Sequence, residues 1–139
     1  MNIKGACYFS KLHNEHIIVI ISDTNENNKA LIVPLSSIKF IENGKSMYNN
    51  SKCSPYDTAC TLDIGDIVSD KNVNVITKPT YALYKRAEEI DINLINTSQW
   101  KGTLEYRCMV SREILEKLQN GAKVSEYLQE RFYKYFKFF

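Results

Sequence analysis

The sequence predicts a mainly β protein of the α+β class: a compact antiparallel barrel of short strands over about residues 1–95, then a helical part over about 110–137. Two observations carry this. The runs His16-Ile17-Ile18-Val19-Ile20-Ile21-Ser22 and Ala30-Leu31-Ile32-Val33-Pro34-Leu35-Ser36-Ser37 are β-branched and almost continuously apolar, as strands buried on both faces are. From Ser111 onward the apolar residues recur at i, i+3 and i+4 instead. The 139 residues fit one domain spanning 1–139. A chain of this size buries about 68–70% of its unfolded surface, enough for a core without a disulfide or a metal.

The elements follow in order. Gly5-Ala6-Cys7-Tyr8-Phe9 is a first strand, and Lys11 to Glu15 form a polar turn carrying His13. Asp23-Thr24-Asn25-Glu26-Asn27-Asn28-Lys29, rich in turn formers, joins the two long runs into a hairpin. Pro34 removes a ladder donor from the second run, and Ser36, Ser37 and Lys39 follow at once. Ile38 to Ile41 extend that strand or begin a bend. Glu42-Asn43-Gly44-Lys45 reads as a turn and residues 46–58 as a polar loop. Ala59-Cys60-Thr61-Leu62 is a short strand closed by Asp63-Ile64-Gly65-Asp66, and Val73-Asn74-Val75-Ile76 alternates. Thr80 to Ala87 reads as a strand, because Pro79 pushes its predecessor into extended geometry. Ser111 is a good N-cap with Glu113 in the first turn; Ile114, Leu115 and Leu118 give one apolar face, and Asn120-Gly121 a stop. A second helix is predicted from about Lys123, its stripe running through Val124, Tyr127, Leu128, Tyr135 and Phe136.

The net charge of +2 conceals an asymmetry. Residues 1–70 carry six basic and eight acidic side chains, whereas residues 71–139 carry twelve and eight. An anionic partner would therefore dock on the second half, although this excess is far below a typical nucleic-acid-binding stripe. Cys7, Cys53, Cys60 and Cys108 have no CxxC spacing. Cys7, Cys60 and Cys108 sit among small or apolar neighbours and read as core residues. Zinc held by cysteines with His13 or His16 has nothing in the spacing to favour it. Met1-Asn2-Ile3-Lys4-Gly5 offers no apolar leader and no stretch reaches the length of a membrane span, so a cytoplasmic protein with reduced thiols and no membrane partner is expected.

No phosphate-cradling glycine loop, HExxH or GxSxG occurs, which argues against familiar nucleotide hydrolysis, zinc proteolysis and esterase chemistry. His13 and His16 are the two imidazoles, the side chains that titrate nearest neutrality. His16 opens a strand and so stands at a rim, where it is either an acid–base group or a plain hydrogen-bonding residue. Ser36 and Ser37 either position a phosphate or cap a strand end. Lys78, Lys85 and Arg86 surround Tyr81 and Tyr84. Such mixing holds single-stranded nucleic acid, cations tracking the backbone and rings stacking on bases, unless the tyrosines are core. The aromatic tail, Arg131 to Phe139, packs on the barrel, docks on a partner protein or lies on a membrane surface.

The order of these segments resembles the PemK/MazF-like toxin proteins, small SH3-like barrels of toxin–antitoxin and phage-defence systems. Gly5 to Phe9 is similar to the family's opening strand, with Ala6 where an acid is usual. His16 to Ser22 is similar to the strand that normally begins Arg-Pro, and Ala30 to Ser37 to the strand ending Pro-Leu-Thr-Ser. Thr58 to Leu62 with Gly65-Asp66, then Thr80-Tyr81-x-x-Tyr84-x-x-Ala87 and Ser111 to Ser125, resemble a divergent PemK-like branch. The resemblance implies a metal-independent endoribonuclease without a cofactor, cutting single-stranded RNA, forming a homodimer and meeting an antitoxin-like protein. The family's catalytic arginine and acid fall on the strand matching Tyr81–Arg86, where Leu83 and Lys85 stand. A rewired set is therefore expected: His16 or Ser36 to activate the ribose 2′-hydroxyl and Lys85 or Arg86 to stabilise phosphate charge. Ser37, Lys39, Lys78, Tyr81, Tyr84 and Arg86 would hold the strand. The alternative is a non-catalytic SH3-like module that binds protein or nucleic acid as a regulator or partner subunit.

Overall fold

The computed structural model describes residues 3–38 and 57–139. Lys39, Cys53, the turn at 42–45 and most of the 46–58 loop lie outside the described residues. The strands are β1 (Ala6–Ser10), β2 (His16–Ile20), β3 (Lys29–Ser37), β4 (Thr61–Leu62), β5 (Thr80–Ala82), β6 (Glu88–Asp91) and β7 (Leu104–Met109). They form one antiparallel sheet in the order β4-β5-β3-β2-β1-β7, with β6 also on β3. Helix α1 (Ile92–Trp100) follows β6, α2 (Arg112–Val124) follows β7, and a 3₁₀ helix (Glu130–Phe138) ends the chain.

The expected hairpin is present, with Val19 opposite Val33 and Ile20 opposite Ile32. Its unbroken apolar character has the cause inferred from it, since alternate residues enter two different cores. Val19, Ile21, Leu31, Val33 and Leu35 face a larger cluster built with α2 and the 3₁₀ helix. Ile18, Ile20, Ala30 and Ile32 face a smaller one with Tyr8, Ile95 and Leu104. Ile18 through Ile21 are all 0% exposed. Each such side chain contributes about 1.5–3 kcal/mol of burial. Cys7, Cys60 and Cys108 are buried free thiols, as their neighbours indicated.

Pro34 sits inside this central strand without breaking it. One edge of β3 pairs with β2 over Ile32 to Leu35, while the other is shared: Leu35 to Ser37 pair with β5 and Lys29 to Ile32 with β6. Between β5 and β6 the chain leaves the sheet through a 3₁₀ turn, Tyr84–Arg86. The Pro34 carbonyl accepts from Leu83 N across that gap at 2.8 Å. A residue's N and O point to the same side of a strand, so the missing donor falls where the ladder is already interrupted.

The sheet is not closed into a barrel. Its path ends at β4 and β7, and the loop that follows β4 meets β7 through a backbone hydrogen bond from Asp70 N to the Arg107 carbonyl (3.0 Å). Val73 to Ile76 contribute an isolated bridge, Val68 with Asn74, and no strand. The strand expected over Thr80–Ala87 stops at Ala82. Two helical expectations are also corrected. Ser111 Oγ does accept from Ile114 N (3.2 Å) as the cap, but α2 runs on through Gly121 to Val124. A Cβ at Gly121 would lie 2.3 Å from Tyr84 Oη and 2.8 Å from Cys60 Cβ, so this glycine allows close packing of helix on sheet and is no stop signal. The second α-helix is replaced by the 3₁₀ helix, whose period is three. Phe132, Tyr135 and Phe138 form one ridge against the core, and Tyr133, Phe136 and Phe139 stack along the next. The tail therefore packs on its own domain. Among the described residues no helix is long and apolar enough to cross a membrane.

Candidate functional site

The β1–β2 turn builds the site. Ser10 pairs with His16 at the end of the ladder, and His16 N donates to the His13 carbonyl (3.2 Å). The two residues between them, Asn14 and Glu15, have φ of 56° and 59°. Consecutive left-handed residues make a tight turn whose twist suits a hairpin, at some conformational cost for a glutamate. The result sets the two histidines at either end of one four-residue turn. His13 is then fixed twice: Nδ1 lies 2.6 Å from Ser10 Oγ and Nε2 lies 2.9 Å from Glu88 Oε1. Burial holds the His13 pKa below the usual histidine value, and the Glu88 carboxylate opposes that shift without cancelling it.

Two clefts adjoin this turn and a third lies nearby. The first, about 290 Å³, is bordered by His13, His16, Arg86 and Glu88, with Pro34 and Leu83 among the other walls. The second, about 310 Å³, lies beyond His16 and takes in Ser37, Lys78 and Thr80. The third is the largest at about 660 Å³, between the 69–75 loop and the β1–β7 pair, and is lined by Phe9, Ile17, Val75, Tyr106 and Arg107 among others.

His16 stands between the first two clefts, with Arg86 on one side and Ser37 and Lys78 on the other. The remaining residues singled out in the sequence are dispersed. Lys85 is exposed and borders none of these clefts. Neither does Ser36, which pairs with Tyr81 in the β3–β5 ladder. Tyr84 is 1% exposed and donates its hydroxyl to the Leu118 carbonyl (2.6 Å), while Tyr81 is 6% exposed. Both rings are core, and neither offers a face to a base. Ser37 and Lys78 stay at the site, and Lys39 lies outside the described residues.

Sequence reasoning had singled out His13 without a partner. Its spacing from His16 across Asn14-Glu15 was the available signal; Glu88, far away in sequence, gave none. Ser10, His13 and Glu88 have the composition of a nucleophile relay, but Ser10 is 0% exposed. Its hydroxyl orients the imidazole and has no access to a substrate. The two rings, beside a guanidinium, are suited to moving protons at an anionic centre. Among the described residues no group of three or more His, Cys, Asp or Glu is placed to hold a metal ion. Comparison of the chain with protein-family models, with curated proteins and with solved structures finds no match.

Proposed function

We propose that the chain is a metal-independent endoribonuclease acting on single-stranded RNA, as a divergent PemK/MazF-like toxin of a toxin–antitoxin or phage-defence system. The observation carrying this reading is the convergence of His13, His16 and Arg86 on one cleft. In the reaction the ribose 2′-oxygen attacks the adjacent phosphorus and the 5′-oxygen leaves. Products end in a 2′,3′-cyclic phosphate and a 5′-hydroxyl. His16 takes the 2′-hydroxyl proton. The leaving 5′-oxygen takes its proton from water, and His13, with both ring nitrogens engaged by Ser10 and Glu88, holds the turn that presents His16. Of Lys85 and Arg86, the two candidates for stabilising phosphate charge, Arg86 takes the role. Ser37 and Lys78 position the strand beyond His16, and an antitoxin-like protein and a second copy of the chain are the partners that fit this reading.

The test is cleavage of a mixed-sequence RNA by purified protein. His16→Ala and Arg86→Ala should each slow it by about 10²-fold or more, as expected for one acid–base group or one charge stabiliser. EDTA should leave the rate unchanged. Intact RNA with wild type and variants alike would end the enzyme reading. The alternative, a non-catalytic SH3-like binding module serving as a regulator or partner subunit, would then stand. It is favoured by one observation: the cleft of about 660 Å³ has Phe9, Ile17, Val73, Val75 and Tyr106 among its walls and no histidine.

A further inference from the structure

The largest cleft is shaped by a β-bulge. Along β1 and β7, Cys7 pairs with Cys108 but Tyr8 pairs with Tyr106, so Arg107 is an extra residue without a partner of its own. A bulge re-aims a side chain, and here the guanidinium carbon lies 5.6 Å from the centre of the Phe9 ring, at the cleft wall. Tyr106 presents a ring that is 42% exposed, steadied edge-on by Tyr8 at 5.7 Å. Across from them the 69–75 loop brings Asp70, Lys71 and Asn74 to the rim. Lys71 is exposed and forms no ion pair among the described residues.

The cleft is a neighbour of the histidine site through shared walls. Ile17 and Val75 border both the second and the third cleft, and His16 borders both the first and the second. The three clefts thus lie side by side, with Arg86, His16, Lys78, Lys71 and Arg107 along their walls. An aromatic face, a guanidinium and an ammonium at phosphate reach, and amide and carboxylate groups at the rim match the parts of one nucleotide: base plane, phosphate and base edge.

The geometry points to a base-reading subsite in this cleft, taking one unpaired nucleotide of an RNA strand that continues from the His16 cleft. This rests on the RNA reading above. Tyr106 stacks on the base, Asn74 and Asp70 meet its edge, and Arg107 and Lys71 hold its phosphate.

The test is binding of a 2′-O-methyl oligoribonucleotide, which lacks the attacking hydroxyl and is not consumed. It is followed by fluorescence anisotropy over a range of salt. Lys71→Ala and Arg107→Ala should each weaken binding severalfold and lower the salt slope by about 0.7, the value for one phosphate contact on a single strand. Tyr106→Leu should weaken it about fivefold or more and flatten the preference among oligonucleotides of different base composition. Arg107 also braces Phe9, so thermal unfolding of each variant is measured alongside; Lys71, on an exposed loop, carries the test if Arg107→Ala fails to fold. Wild-type affinity and salt slope in Lys71→Ala, with RNA still cut by wild type and lost in His16→Ala, would overturn the subsite and leave the ribonuclease reading intact. A wild-type protein that neither binds the oligonucleotide nor cuts RNA would overturn both.

Discussion

At the scale of single residues, His13 is where environment most changes chemistry. Its ring is pinned between a buried hydroxyl and a carboxylate, and burial lowers its pKa relative to the ordinary value of about 6.5. The unfolded chain therefore binds a proton at this position more readily than the folded one. Stability from His13 is fully present above about pH 6.5 and is lost as pH falls toward the lower folded pKa. We expect denaturant midpoints measured between pH 7.5 and 5 to fall more steeply for wild type than for His13→Gln, which cannot take up that proton. Equal slopes would mean that the ring titrates as freely folded as unfolded. His16 was legible in the sequence because it opens an apolar run, and Ser37 and Lys78 because they flank one. Tyr81 and Tyr84 were open between the two readings for a physical reason: a tyrosine beside lysines has the same local sequence whether its ring stacks on a ligand or fills a core. The deciding partner, the Leu118 carbonyl, is 34 residues away.

At the scale of elements, the hairpin and the capped start of α2 were readable because their determinants are local: β-branched runs, Asn-rich turn residues, a serine hydroxyl at the cap. Asn25 shows the turn at work, its Oδ1 accepting from the backbone of Asn27 and Lys29 (2.9 and 3.1 Å). Elements that depend on distant partners were not readable. Helix α1 is built largely from Asn, Thr, Ser and Gln with a weak apolar face, and its Asp91 cap alone marks it. The period-two pattern of β7 is broken by the bulge at Arg107. Gly121 carries the clearest contrast between local and tertiary logic. Alanine is the better helix former by about 1 kcal/mol. Yet its methyl group would have to share space with the Tyr84 hydroxyl and Cys60. Gly121→Ala is therefore expected to destabilise by about 1–3 kcal/mol, the range for overpacking, read as a lower urea midpoint at unchanged m-value. A higher midpoint would show that propensity prevails and that α2 can lift off the sheet.

At the scale of the whole molecule, one long strand organises both cores, and the chain's two ends meet beside it. Lys4 Nζ reaches the Phe139 carbonyl (3.0 Å) and Asp23 Oδ2 (3.1 Å), and Asp23 N donates to the Phe138 carbonyl (2.8 Å). Tyr135 donates to Glu89 Oε2 (2.5 Å) and accepts from Asn25 (3.2 Å), tying the tail to β6 and to the hairpin loop. Of the three placements open to the aromatic tail, it takes packing on its own domain. Its sequence, Arg-Phe-Tyr-Lys-Tyr-Phe-Lys-Phe-Phe from Arg131, repeats cation-aromatic-aromatic, and the cations at 131, 134 and 137 each lie over the ring that follows, at 4.5, 5.6 and 5.3 Å. Such a segment has a reading frame. With three residues per turn, one inserted residue rotates everything after it by about 120°. A single alanine added after Tyr133 would bring Lys134 to the place of Tyr135, whereas an added Lys-Tyr-Phe triplet would return a phenol to it. We expect the one-residue insertion to lower the melting temperature far more than the three-residue one. A frame-indifferent tail, equally damaged by both, would have to be held by its composition and not by its phase.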